Sequence, residues 1–331
     1  MKKRTFVIVS IIVVLILAVS CCGASAASKV YKMRAAHTQA PDHPVHTCML
    51  EAAEKIKART NGAVLIEVFP SSQLGGDRDV AEGFGIGTIE MGIFGTGGLQ
   101  VLDKRLIVEE LPFAFPTKDK AYAAVDGDLG KLVDKILLEQ GIVSLSYWES
   151  GHRHITNSVR PIKAIGDISG LTIRVPPAEM RIDTFKQVGA LPTPMPLAEV
   201  FTALQTRVVD GQENPLATLY TLKFYEVQKY LTLSYHIWGS FLVAIAEKSW
   251  NDLPEEYRKI LVEETEAIKP KQRQMITEME AQALENIKAT GIEINELDIA
   301  EFRNAVLPIW DKYSEVFGKE LVDAVRKYAG D

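Results

Sequence analysis

An arginine interrupts the run 170–177 (GLTIRVPP), in which Leu171, Ile173 and Val175 alternate with Thr172 and Arg174. That two-residue period describes a strand with one face buried, and the two prolines stop it. Arg174 falls on the other face, which is either ordinary solvated surface or the wall of a site. Other polar groups also stand in apolar surroundings: Arg153, within GHRH (151–154), and the run DGQEN from Asp210 to Asn214. A guanidinium offers a planar fork that matches a carboxylate through two parallel charge-assisted hydrogen bonds. The amide of Asn214 can donate to or accept from a ligand's other polar atoms. Tyr147, Trp148, Tyr220, Tyr235 and Trp238 could wall such a pocket, and each could equally belong to a core.

Other chemistries find less support. His37, His43, His46 and Cys48 cluster near the start, and His43 and His46 have the spacing of two ligands on one helical face. No matching Cys/His group lies downstream, so no metal site is expected. The glycines of GFGIG (83–87) and GTGG (95–98) lack both the Lys-Ser/Thr of a P-loop and the G-x-G-x-x-G spacing. No nucleophile motif is present, and Glu109-Glu110 and Glu255-Glu256 read as solvated helix or loop faces. No catalytic residue and no cofactor is assigned.

The elements that must position the arginines alternate. Strands are expected near residues 30–36, 63–69, 89–94, 142–148, 170–176 and 237–247, and helices at 44–62, 77–87, 119–141, 178–190 and 197–206. This is an α/β pattern with a largely parallel sheet. Gly62 reads as a helix C-cap, and Asp252 with Glu255 as a capping box opening a long helix. Pro270 lies inside that helix, where it should kink it or mark a junction of two. Two more helices are expected at 298–318 and 319–329.

The chain has 331 residues, 47% hydrophobic and 24% charged, which is globular composition with room for two domains. Lys2, Lys3 and Arg4, an apolar run and Ala24-Ser25-Ala26 have the layout of a secretory signal over residues 1–26. An uncleaved anchor, or lipid on Cys21 or Cys22, are the other readings of this segment. Without residues 1–26, 34 basic residues face 43 acidic ones, a net charge of −9 in place of −6. Such a surface has no general attraction for nucleic acid or anionic lipid, so an anion would have to be held by local cations. Cleavage would leave Cys48 alone, without an internal disulfide.

The strand GLTIRVP, followed by VGALPTPMPLAEVFTALQTRVVDGQENP (188–215) and KFYEVQKYLTLSYH (223–236), resembles the solute-binding subunit of a tripartite ATP-independent periplasmic (TRAP) transporter, of the dicarboxylate-receptor family. FPSSQLGGDRDVAEGFGIGTIEMGIF (69–94) and WNDLPEEYRKIL (250–261) extend the match. The resemblance implies an α/β type II periplasmic binding protein, with two lobes, a ligand cleft between them and a long kinked helix spanning both. Residues 27–150 with 240–280 would form lobe I, and 151–239 with 281–331 lobe II. It also implies a periplasmic receptor that delivers a small-molecule carboxylate to membrane permease subunits, with transport driven by an ion gradient.

In the family the arginine of the I-R-V-P strand clamps the ligand carboxylate, which maps to Arg174. Arg153 and Asn214 line the cleft by the same mapping, and His37 and Asp77 fall near positions that contact ligand in some members. Trp148 and Trp238, near the expected lobe crossings, would suit an aromatic or sugar acid. Leu197 stands where an aromatic is common, and Gly95 to Gly98 lacks the charged residues of sialic-acid receptors, which argues against sialic acid. The alternatives are a secreted hydrolase or lyase using a histidine base, and a receptor that serves a sensor.

Overall fold

Ten strands form one mixed sheet: β1 (Tyr31–His37), β2 (Val64–Phe69), β3 (Met91–Gly95), β4 (Ile142–Asn157), β5 (Thr172–Val175), β6 (Leu191–Pro194), β7 (Gly211–Pro215), β8 (Tyr230–Leu233), β9 (Trp238–Ala246) and β10 (Glu293–Glu296). The computed structural model describes residues 29–329, so residues 1–26, expected to be a signal, with Cys21 and Cys22 among them, lie outside the described residues. The order is β2-β1-β3-β9-β4-β7-β5-β6, with β8 joining β4 to β10.

The expectation of a largely parallel sheet needs correction. β1 runs parallel to β2 and β3, and β5 parallel to β6 and β7. Between these groups β9 is antiparallel to β3 and β4, and β4 is antiparallel to β7 and β8. Strand β4 is twice the expected length because it continues past Gly151. Its first part, Ile142 to His152, pairs with β9, and its last part, Arg153 to Asn157, pairs with β7. A bulge between Glu149 and Gly151 marks the change, and Gly151 takes φ +110°, a conformation open to glycine.

Helices cover both faces. Pro44–Arg59 buries Val45, Met49, Ala52 and Ile56 at helical spacing, in a core shared with Met33, Met91, Trp148 and Val243. It ends at Thr60, and Gly62, two residues later, carries φ +79°. The expected helix over 119–141 is two, Lys118–Val125 and Asp128–Glu139. The long helix Glu255–Ala289 is continuous through Pro270, and it follows a short helix, Glu247–Asp252. Asp252 thus closes one helix, and Pro254 rather than a side chain caps the next. The long helix packs on Pro44–Arg59 and β4, then on Leu216–Thr221, so it reaches both ends of the sheet. Helix Ile299–Phe317 packs on Glu179–Gln187, and Lys319–Arg326 packs back on Asp128–Glu139.

Candidate functional site

A cavity of about 440 Å³ opens where parallel strands end. Thr38 and Gln39 follow β1, Gly97 and Gly98 follow β3, and Pro176 and Pro177 follow β5; all line it. The C-terminal edge of parallel strands is where open α/β sheets leave a crevice. β7 lies between β4 and β5, with Arg153 opposite Pro215 and Arg174 opposite Gln212, so pairing brings both arginines to one wall.

Arg174 is 2% exposed. Its Nε and Nη2 both donate to the Met195 carbonyl, at 3.0 and 2.7 Å, and its Nη1 is buried without a partner. Burial lowers its pKa to about 9, against the attraction of Glu213. The guanidinium is therefore held rigidly with one donor still to be satisfied.

The two neighbouring arginines are paired with glutamates. Arg153 meets both oxygens of Glu213 through Nε and Nη2, and Nη2 also reaches Asn214 Oδ1 at 3.1 Å. Arg181, on the helix Glu179–Gln187, pairs with Glu110 at 2.6 Å and with Glu213 at 3.2 Å. Burial alone would raise Glu213, but Arg153 and Arg181 outweigh it and hold this carboxyl well below the usual range. His236 Nε2 lies 3.3 Å from Glu213, and its Nδ1 lies 2.8 Å from Ser234 Oγ.

Asp77 opens the helix Asp77–Ile86 and faces the same cavity. Burial raises its pKa to about 7, with Arg174 and Thr38 pulling the other way. Its Oδ1 has no partner. A Cβ on Gly98 would sit 2.4 Å from Asp77 Cβ, and one on Gly97 would sit 3.0 Å from Glu110 Oε2. The GTGG run thus lets two acids approach closely.

The fold brings Arg153, Arg174, Asn214 and Asp77 together around the cavity, with Leu197 as an apolar wall. Three other residues singled out from the sequence do not line it. His37 sits behind Gln39: its Nδ1 accepts from the Gln39 amide at 3.2 Å, so its Nε2 carries the proton facing His46 Nδ1 at 3.0 Å. Trp148 is core, and its indole donates to the Thr265 carbonyl at 3.1 Å. Trp238 is buried edge-on against Phe115 and Tyr122.

Sequence reasoning missed Arg181 and misread Glu109-Glu110, which are buried. Glu109 accepts from Thr96 Oγ1 and from the Ser240 amide and hydroxyl, each at 2.8 Å. The spacing of His43 and His46 has another cause: His43 caps its helix by accepting from the Val45 amide. Among the described residues no His, Cys, Asp and Glu cluster could hold a metal ion.

A cavity walled by fixed arginines, with one buried donor unmet, has the chemistry to hold an anion. The model of the DctP family, bacterial extracellular solute-binding protein family 7, matches residues 35–316. The chain belongs to that family. The 2,3-diketo-L-gulonate-binding periplasmic protein YiaO of Escherichia coli (strain K12) is 34% identical over 262 residues, which cover 79% of this chain and 80% of the relative. The sugar acid binding protein DctPAm of Advenella mimigardefordensis, solved with galactonate, superposes with a TM-score of 0.88 at 32% identity, covering 91% of this chain and 98% of that one. A TRAP periplasmic solute binding protein of Desulfovibrio salexigens, solved with orotic acid, gives 0.86 at 34% identity, covering 90% and 97%. This family 7 protein is a solute receptor of the TRAP type and not an enzyme.

Proposed function

We propose that the protein is a periplasmic receptor that seats the carboxylate of a small organic acid on Arg174 and delivers the closed complex to the permease subunits of a TRAP transporter. The observation that carries this reading is the buried Arg174 Nη1, a donor with no partner in the protein on a side chain that lines the cavity. Leaving a buried charged donor unmet is unfavourable by more than the ~1–3 kcal/mol of a neutral one, and a ligand carboxylate relieves it. Arg153 and Asn214 complete the wall, and His37 acts through Gln39 rather than by contact. Export would follow from residues 1–26. The two groups of segments, 27–150 with 240–280 and 151–239 with 281–331, would close as lobes, because only the closed form contacts the ligand from both sides.

The test is a thermal-shift and calorimetric screen of the mature protein against sugar, hydroxy, keto and aromatic acids, paired with Arg174→Ala. A ligand at about 100 times its Kd adds about 2.7 kcal/mol to the native state. Truncating the arginine should remove about 2–5 kcal/mol of binding. Full affinity in Arg174→Ala would overturn the clamp, and turnover of the bound acid would overturn the receptor.

A further inference from the structure

Three hydrogen bonds in series run from the surface to the cavity and across it. His46 Nδ1 accepts from His37 Nε2 at 3.0 Å, and His37 Nδ1 accepts from the Gln39 amide at 3.2 Å. Gln39 Oε1 in turn accepts from Thr218 Oγ1 at 3.0 Å. Gln39 and Thr218 both line the cavity, and they belong to the two groups of segments proposed as lobes. His37, Gln39 and Thr218 are buried, whereas His46 is partly open to solvent.

The direction of these bonds leaves the chain no freedom. A backbone amide can only donate, so His37 must offer a bare Nδ1 and carry its proton on Nε2. His46 must then present a bare Nδ1. A proton from solvent on that nitrogen sets two N–H groups face to face. His37 cannot yield by changing tautomer, because an Nδ1–H would oppose the Gln39 amide. The rings must part, and Gln39 loses the support behind its amide. Its carbonyl keeps the bond from the Ser71 amide at 2.9 Å, so the corner shifts without unfolding.

The ionisable neighbours do not replace this trigger. On the same helix, His43 is buried with its Nδ1 taken by the Val45 amide, and burial pushes the Cys48 thiol up to about 11. From the long helix Glu255–Ala289, Lys271 reaches the helix of His46 and pairs with Glu51. Asp77 meets the far side of the corner through Thr38. Among the described residues no carboxylate bonds to His37 or His46. Burial holds His37 and His43 at about 3, which leaves His46 as the ring of this group that titrates in mild acid.

We propose that His46 is a positioning residue and a proton sensor: a proton taken up on its Nδ1 breaks the relay through His37 to Gln39 and loosens the receptor's hold on its acid. This rests on the receptor reading above and adds a control on it. With the relay broken, His46 titrates near its ordinary value of about 6.5, and burial in the intact relay holds it lower. Acid therefore favours the loosened form, and affinity falls as pH drops through about 6.5. One coupled proton corresponds to roughly 3- to 10-fold between about pH 7.5 and 5.5.

The experiment has two arms on the mature protein, wild type and His46→Asn; the asparagine Oδ1 stands in for Nδ1 as an acceptor that does not titrate. In the first, histidine ring nitrogens and backbone amides of the ligand-free protein are followed by NMR from about pH 8 to 5. His37 should be the Nε2–H tautomer, the Gln39 and Thr218 amides should shift with the midpoint of His46, and that shift should vanish in His46→Asn. In the second, galactonate and orotate, both ionised across this range, are titrated calorimetrically at about pH 7.5 and 5.5. The wild type should lose about 3- to 10-fold in affinity, and His46→Asn should lose less than 2-fold. An Nδ1–H tautomer of His37, or Gln39 and Thr218 amides that ignore the titration of His46, would overturn the relay. Equal weakening in His46→Asn would assign the pH dependence to Asp77 and overturn the sensor. If neither these nor any other acid binds, the receptor reading fails, while the wild-type NMR titration still decides the relay, even where the variant does not fold.

Discussion

Arg181 Nη2 lies 2.6 Å from Glu110 Oε1, and both side chains are sealed from water. The pair joins the helix Glu179–Gln187 to the 3₁₀ segment Lys104–Glu110, which belong to the two proposed lobes. Replacing Arg181 with Met would leave the buried Glu110 with no cation, only the Gly97 amide and Thr96 hydroxyl, and Glu213 with only Arg153 and His236. The expected loss is about 3–5 kcal/mol of stability, measured by urea unfolding. Lys312→Met, which breaks an exposed bridge to Asp183, should stay within about 1 kcal/mol. Equal effects of the two substitutions would refute the structural weight given to Arg181.

Gly98→Ala and Gly95→Ala form a second matched pair. A Cβ at Gly98 collides with Asp77 Cβ at 2.4 Å, whereas one at Gly95 meets nothing within 4 Å. Gly98→Ala should displace Asp77 and weaken binding of the physiological acid by about 10-fold or more. Gly95→Ala, at the same cavity but clear of Asp77, should weaken binding less. Calorimetry on both proteins checks this, and an unaffected Gly98→Ala would show that the Asp77 wall is not rigid.

Trp148→Phe separates packing from recognition. The substitution removes a buried hydrogen bond to the Thr265 carbonyl and leaves a void in the core, a loss of about 2–4 kcal/mol in stability. Ligand affinity should be unchanged, because the indole does not reach the cavity. An affinity loss larger than the stability change allows would return Trp148 to the site.

Stability should peak near neutral pH. Burial holds His37 and His43 at about 3 and His152 at about 4, and it lowers His46, His154 and His236 as well. The unfolded chain protonates these histidines below about 6.5, so stability falls as pH drops from there. Buried acids act in the opposite sense. Asp77, Glu109 and Glu280 are raised to about 7 and Asp134 is also raised, so their contribution is complete below about 4 and disappears as pH climbs through 7. Six histidines against four acids leave a net loss on the acid side, and the acids alone produce a loss above neutrality. Denaturant midpoints at about pH 5, 7 and 9 would measure both arms; a monotonic trend would contradict the balance.

Arg174 stands out because a charged residue breaks a β-branched alternation, but that run alone fits solvated surface or a site wall, and its ligand role came from family likeness. Asn214 stands out in a polar run within apolar surroundings, whereas Asp77 has no local signature and came from family likeness alone. Arg181 and Glu110 lie 71 residues apart, and Glu109 and Ser240 lie 131 apart, so only the folded sheet shows that these acids are buried and paired. Read alone, adjacent glutamates look solvated. The tryptophans were ambiguous because both faces of β4 and β9 are covered, which removes the alternation that would show which way a ring points. β4 runs past its expected end at residue 148, because Gly151 forms a bulge within a continuing strand.

The unpaired donor of Arg174 also has a kinetic consequence. Its charge is enclosed within a chain whose net charge is −6, and the neighbouring arginines are already neutralised by glutamates. Beyond a Debye length of about 8 Å an approaching anion meets the negative surface rather than this cation. Added salt should therefore leave the association rate unchanged or raise it, the reverse of an electrostatically steered encounter. The acid would be captured by geometry at short range, and its residence time, not its rate of arrival, would report the strength of the arginine's grip.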